Sequence, residues 1–489
     1  MTEYAANTPV LVGIAAVQQK VDDYRRALEP VALMAQALRD AAGDAGCADL
    51  LRQADEIMVP KSIWGYSDPG RLVADSIGAN SATTLLAEFG ILQQTLLTRA
   101  CQRIEAGECQ IVLVTGGEAK HRALCAQKVG QEAFETPQLD VSPDTTLRPE
   151  DEMWSPVESA SGLGMPVGYY AILDSALRYK QGLSLDEHRD QMASMYSRFS
   201  ELAADNPGGW SEQVVPAEHI REHSAANRML AFPYTKLHNS QWNVDQAAGL
   251  ILCSVGIAEI LGIERSKWVF PRAFAESNFM SVVASRKDLG ASPGFRIAGK
   301  AAMELAGVNF GDIRLCELYS CFPYAVRVQL QELGMNPQHD VSVTGGMTFG
   351  GGPLNNFVFQ ATVKMAQLLR QNPAEVGLVT TVSGMLTKQA CAVWSATPGA
   401  DGWACADVTE QVRRESDECE LVADYSGTAL VAGYTVLYQG LDPWRAVAVF
   451  DLPDGSRTVA YSEDAQMLEY MMAQECCGER YELEGGTFH

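Results

Sequence analysis

The segment Thr344–Pro353 places Gly345, Gly346, Gly350, Gly351 and Gly352 within ten residues. Glycine loses more backbone entropy on folding than any other residue. It is kept where the chain needs a positive φ or must come close to something. A strand-like run, Asp340 to Val343, precedes the segment. A helix-like run from Asn356 to Arg370 follows, apolar at Val358, Ala361, Met365 and Leu368. A surface linker would not be bracketed so tightly by apolar elements. The spacing predicts a strand–glycine loop–helix junction, the place where α/β sheets meet ligands.

The rest of the chain is arranged as if that junction occurred twice. In the first half, strands are expected at Val10–Ala15, Ile57–Val59, Thr83–Ala87 and Ile111–Gly117, and helices at Tyr24–Ala42, Arg71–Gly78 and Ile91–Ala106. The second half repeats the order. Ile313–Leu318 stands for Ile57–Val59, Ala325–Leu333 for Arg71–Gly78, and Val341–Val343 with its glycine loop for Thr83–Gly90. The helix to Arg370 then stands for the helix to Ala106, and Gly377–Thr381 for Val112–Gly116. Weak identity with conserved element order reads as an internal duplication of βαβ units facing one shared pocket. Between the halves, about 120–244, acidic loops, prolines and large aromatics mark an insertion. After a linker at Pro398–Gly402 the texture turns all-β. Pro453-Asp454-Gly455 reads as a hairpin turn, and a short helix is expected from Asp464. A small β-barrel with one helix is expected there.

Composition excludes several functions. A net charge of -24 argues against nucleic acid, whose phosphates need basic surfaces. Met1–Asn7 lacks a signal-peptide pattern, and the apolar run Ala247–Ala258 is too short to span a bilayer. The 12 cysteines include no CxxC, and Cys476 and Cys477 are adjacent, which suggests reduced thiols and a cytoplasmic setting. The seven histidines carry no metal-ligand spacing, so no metal is expected. No Walker A motif follows the glycines, and no GxGxxG follows the first strand.

The duplicated halves, the insertion and the late glycine motif resemble the thiolase superfamily, nearest its sterol-carrier-type members and their non-catalytic relatives. The resemblance covers roughly residues 8–396. The last module resembles the additional C-terminal domain of type 1 thiolase-like proteins. It implies a layered α/β core in two halves, 1–265 and 266–396, followed by an OB-like barrel at 405–489. It also implies coenzyme A thioesters as ligands or substrates, with acyltransferase chemistry in lipid metabolism. That chemistry needs a nucleophilic Cys, an activating His, an oxyanion Asn or His, and an acid/base Cys.

Set against those motifs, the nucleophile position falls at Gly90, after Phe89. The family's Gly-Gly-x4-Gly-His-Pro becomes Gly345-Gly346-x4-Gly351-Gly352-Pro353, so the His position is Gly352. The oxyanion motif becomes Tyr319-Ser320-Cys321-Phe322, and the last Cys becomes Val382, before Ser383 and Gly384. Cys101 lies three helical turns beyond Gly90 and reads as core. Covalent acyl transfer needs an activated nucleophile beside a base, and neither is present. Tyr319 is the one candidate for remaining acid, base or oxyanion chemistry. Some thiolase-fold aldolases that cleave thioesters carry a Tyr in this motif, which implies a lyase as one alternative. A non-enzymatic acyl-CoA-binding or scaffold protein is another. Arg228 and Lys236, ahead of Lys120, His121 and Arg122, are the basic residues expected to meet the anionic cofactor. The family also dimerises through the sheet edge near the nucleophile loop, which leaves a homodimer through the core open to this chain.

Overall fold

The computed structural model describes residues 4–336, 339–399 and 402–489. The most apolar segments become central strands. In the first sheet β1 (Pro9–Gln18), β2 (Glu56–Pro60), β3 (Thr83–Ala87), β4 (Ile111–Ala119), β5 (Thr145–Leu147) and β8 (Asp245–Ser254) run in the order β1-β8-β4-β2-β3-β5. In the second, β9 (Phe270–Ser277), β10 (Leu315–Glu317), β11 (Val376–Ser383), β12 (Lys388–Ser395) and β13 (Ala404–Asp407) run β10-β11-β12-β9-β13. The chain segments β1, β8, β4, β2 of one half correspond to β9, β12, β11, β10 of the other, as a duplication requires. The two sheets meet where Leu11 and Val269 exchange backbone hydrogen bonds of 2.9 and 3.0 Å.

Helices Gln93–Glu105 and Phe357–Gln371 pack between the sheets and touch strands of both. Helices Pro30–Ala45 and Pro69–Ile77 cover the outside of the first sheet, and Pro293–Ala306 and Pro323–Leu333 flank the second. The result is the expected five-layer α/β/α/β/α core. The Phe357–Gln371 helix is buried on most of its circumference, whereas Gln93–Glu105 keeps one apolar face and buries Gln93, Gln94 and Thr98 beside it.

The third sheet contains β14 (Gly427–Gln439), β15 (Asp442–Asp451), β16 (Arg457–Ser462), β17 (Arg480–Glu484) and β18 (Thr487–Phe488), and β14 also pairs with β15. That extra pairing closes a five-stranded barrel. Asp464 caps the Ala465–Ala473 helix by accepting from the Met467 N–H.

Four expectations need correction. Val341–Val343 runs beside Leu318, whose N–H bonds to the Val341 carbonyl, but forms no ladder. The first helix begins at Pro30 rather than Tyr24, because proline suits a first helical turn. The second sheet extends past residue 396, since β13 pairs with β9. The centre of the linker, Ala400 and Asp401, lies outside the described residues. The insertion is also not separate. Its β5 pairs with β3, and its β6 (Met229–Ala231) and β7 (Tyr234–Thr235) extend the barrel sheet from β14. Because β5 occupies the outer edge of β3, a dimer through that edge would require displacing β5.

Buried charge ties the insertion to both neighbours. Asp174 is fully buried and takes hydrogen bonds or ion pairs from Arg327, His188 and the Tyr234 hydroxyl. Arg178, also fully buried, reaches both Glu475 oxygens, at 2.8 and 3.0 Å, and the Tyr434 hydroxyl in the barrel. Burial pushes the pKa of His188 down to about 4 and of His238 down to about 3. An unfolded histidine titrates near 6.5, so between these values the unfolded chain binds protons that the fold rejects. The two histidines' contribution is therefore complete above about pH 6.5 and falls on acidification, by up to about 1.4 kcal/mol per pH unit for each, while Glu317, whose carboxyl pKa burial raises to about 7, works the other way over the same window. Urea unfolding at pH 7, 6 and 5 checks this. The expected result is a greater loss on acidification in the protein than in His188→Gln with His238→Gln; the same pH profile in both would contradict it.

Candidate functional site

The glycine loop is held by one carboxylate. Glu317, fully buried at the end of β10, accepts from the N–H groups of Val343 and Thr344, both at 2.8 Å, and from the Ser342 hydroxyl. These bonds replace the ladder that a third parallel strand would have made, which is the physical reason Val341–Val343 is irregular. Burial pushes the Glu317 pKa up to about 7 against the pull of those donors. The Ser342 hydroxyl then accepts from the Gly345 and Gly346 N–H groups, and Ser320 accepts from Met347. From Gly346 the chain makes one wide π-type turn to Gly350. Gly351 has φ 103°, and a side chain there would collide with the Gln246 amide.

The position expected for the activating base is filled from outside. A Cβ on Gly352 would stand 3.0 Å from Ser240 Cβ and 3.1 Å from the Met347 carbonyl oxygen. Insertion residues Asn239–Gln241 are stitched to the two motifs. Ser240 donates to the Cys321 carbonyl from both its N–H (3.2 Å) and its hydroxyl (2.9 Å). Gln241 donates to Met347, Gly352 donates to Gln241, and Thr348 donates to Asn239.

The position expected for the nucleophile is closed in the same way. Gly90 has φ 95°, and a Cβ there would lie 3.0 Å from Pro149 and 3.8 Å from Met153. Beyond it, Phe89 is exposed, and the Gln93–Glu105 helix starts without a side-chain cap. Gln93 reaches across, accepting from the Val358 N–H at 2.9 Å, so the two central helices are joined at their starts. Four residues after each altered glycine stands a buried amide, Gln94 after Gly90 and Asn356 after Gly352. Both polar atoms of each are buried without a partner.

Tyr319 is 9% exposed, and its ring meets Phe357 edge-on at 5.8 Å. Its N–H donates to Thr380 at 2.8 Å, but its hydroxyl has no partner among the described residues. Burial raises the phenol pKa above its ordinary value, so the hydroxyl stays protonated and acts as a donor. Burial pushes the Cys321 thiol up to about 12, which keeps it an inert thiol at neutral pH. Phe322 stacks on Tyr170 at 4.4 Å. Val382 is buried, and Gly384, Met385 and Leu386 after it all have positive φ, between 53° and 68°.

The structure therefore brings the Tyr319–Phe322, Gly345–Pro353 and Asn239–Gln241 segments into direct contact. A cavity of about 260 Å³ borders the glycine loop, and a second, of about 470 Å³, lies apart from these segments. The smaller is lined by Thr344 and Gly350, the larger by Leu386 and Thr387; Gly90, Tyr319, Gly352 and Val382 line neither. Arg228 and Lys236 are exposed neighbours: the Lys236 N–H donates to the Arg228 carbonyl, and neither side chain forms an ion pair among the described residues. Lys120 instead lies over the Trp242 ring, and Arg122 donates to the Tyr24 carbonyl.

Several groups escaped the sequence reading. Pro149, Met153 and Ser240 sit in irregular loops with no periodic signal. Lys388 is 3% exposed, without an ion-pair partner among the described residues, and burial lowers its pKa; in sequence it looks like a strand-end charge. Asp22, His121 and Cys125 converge within 4.8 Å, from positions whose spacing suggested no metal site, although Asp22 is exposed.

No family model matches the chain. An acetyl-CoA acetyltransferase of Methanocaldococcus jannaschii is 22% identical over 271 residues, which is 55% of this chain and 62% of that protein, so the match spans less than two thirds of the relative's length. Among solved structures, a monomeric SCP2-thiolase like protein type 1 from Mycobacterium smegmatis matches with TM-score 0.84 and 25% identity over 100% of both chains. An Ltp2-ChsH2(DUF35) aldolase matches with TM-score 0.61 and 16% identity over 79% of this chain and 97% of that one.

Closure at Gly352 is open to test. Gly352→Ala should destabilise the fold by about 1–3 kcal/mol, the range for overpacking a filled site. Adding Ser240→Gly should recover part of that loss in chemical denaturation. Wild-type stability in Gly352→Ala alone would contradict the steric account.

Proposed function

Because the chain belongs by fold to the thiolase superfamily, we propose that it binds acyl-CoA thioesters without Cys-dependent thiolase chemistry. The observation that carries the reading is the pairing of closure with unmet polarity. Both altered glycines are sealed by neighbouring side chains, yet each is followed by a buried amide with nothing to bond. A buried amide without a partner costs free energy that a polar ligand could offset. Gln94 and Asn356 stand at the starts of the two central helices, where free N–H groups and the helix dipole favour a carbonyl or carboxylate oxygen. Tyr319 would add a hydroxyl donor. Arg228 and Lys236 would receive the anionic end of the cofactor on a protein whose net charge otherwise repels it.

A second reading is a lyase that cleaves a 3-hydroxyacyl thioester. The unpartnered Tyr319 hydroxyl favours it, as does the aldolase among the similar folds. Such a cleavage needs a base for the substrate hydroxyl as well as a donor for the enolate oxygen. Tyr319, held protonated, serves only as donor, so binding is the better-supported reading. The same reading treats the chain as an N-terminal half, a C-terminal half and a terminal barrel. It also takes the protein as a monomer, since β5 occupies the edge a dimer would use.

Calorimetric titration with acetoacetyl-CoA should give saturable binding, weakened about tenfold or more by Arg228→Ala with Lys236→Ala. Thiolysis should be undetectable. No binding at millimolar ligand would overturn the proposal and leave a scaffold role. Turnover of a 3-hydroxyacyl-CoA that is lost in Tyr319→Phe would replace it with the lyase.

A further inference from the structure

The larger cavity, about 470 Å³, opens between the second core sheet and the segment leading to the barrel. Its walls are the first turn of the Pro293–Ala306 helix, the loop Leu386–Gln389, and residues 415–417. Arg286 stands in the wall. Its Nη2 donates to the Ser281 and Met385 carbonyls at 3.2 and 2.8 Å. Its Nε is buried without an acceptor, and no carboxylate pairs with it among the described residues. The side chain as a whole is part-buried, and Glu158 and Glu418 lie near enough to favour its charge without forming an ion pair, so an anion entering the cavity would give the Nε the close acceptor it lacks.

Two further features point into the same space. Gln389 is 2% exposed, and its Oε1 has no donor, while its Nε2 is spent on Ser292 and Leu386. Glycine at 294 is what lets that amide lie against the helix start, since a Cβ there would overlap it. The helix itself begins without a side-chain cap. Of the other wall charges, Lys287 is exposed and forms no ion pair among the described residues, and the rest are largely spent. Lys180 pairs with Asp288 at 2.7 Å, and Arg296 lies within 4.0 Å of Glu332 and Glu415. Phe279, Leu386 and Val412 add buried apolar surface.

We propose that this cavity binds a small monocarboxylate with an apolar body, its carboxylate on Arg286 and its chain against Phe279, Leu386 and Val412. Glu332, Glu415 and Asp417 on the same wall disfavour a doubly charged phosphate. The volume suits a ligand of ordinary small-molecule size. A hydroxyl on the ligand would satisfy Gln389. The site is independent of the thioester reading, because it shares no residue with Gly90, Tyr319, Gly352, Arg228 or Lys236.

Ligand-observed NMR titration of the full chain with hexanoate, hexanol and inorganic phosphate tests the proposal. Hexanoate should bind saturably, at least about tenfold more tightly than either of the others. Arg286→Gln should weaken it at least about tenfold, as a charge-assisted bond to a carboxylate predicts. Ser416→Trp, which fills the mouth without touching the arginine, should block it while leaving the melting temperature unchanged; this variant decides the matter if Arg286→Gln fails to fold. Absence of hexanoate binding, equal binding of hexanol or phosphate, or unaltered affinity in Ser416→Trp would each overturn it.

Discussion

The candidate site depends on one buried carboxylate. Glu317 lies where β10 ends, and it gathers the backbone of Ser342–Thr344 that would otherwise continue the sheet. A third parallel strand would carry Val341–Val343 straight past the centre. Hydrogen-bonded to Glu317, the chain turns inward, and Ser342 passes the constraint on to Gly345 and Gly346. The remaining glycines then allow approaches that no other residue permits. Gly345 lies against Ala203, and Gly351 against Gln246, so the insertion and the first sheet are locked to the second half through this loop. Burial drives the Glu317 pKa to about 7, so its own charge is marginal near neutrality.

On the reading proposed above, the same loop leaves no base beside the pocket for Cys-dependent thiolase chemistry. A Cβ at Gly90 or Gly352 would stand 3.0 Å from Pro149 or Ser240, tighter than ordinary van der Waals contact. What persists is a polar interior with no obvious internal use. Gln94, in the first turn of one central helix, and Asn356, at the N-cap of the other, keep their amides unbonded, and the Tyr319 hydroxyl has no partner among the described residues. A scaffold under no demand for ligand would be more stable with apolar residues in those places.

The core strands and the two central helices were legible because strong apolar patterns bounded by glycine leave few alternatives. The duplication was legible because element order survives when identity does not. The assignment of Gly90, Tyr319, Gly352 and Val382 to the four catalytic positions rests on counting along the chain and stays a proposal. Sequence did not reveal that β5 would cover the β3 edge, that β6 and β7 would join the barrel, or that β13 would extend the second sheet. Each is a pairing of short segments from distant parts of the chain, decided by tertiary contact rather than local pattern. The groups that close the site were invisible for the same reason, since Pro149 and Ser240 act only through where the fold delivers them. Arg286 and Gln389 look unremarkable in sequence and become notable only once their partners are counted.

The central claim is that the altered locus still receives a thioester, held by the two helix starts without a covalent bond. A crystal structure of the protein with acetoacetyl-CoA tests it most directly. The account predicts the thioester oxygen within hydrogen-bond reach of the Tyr319 hydroxyl or the Gln94 and Asn356 amides, the diphosphate beside Arg228 and Lys236, and no bond from any sulfur to the acyl group. A ligand bound elsewhere, or an acyl group attached to Cys321, would contradict it.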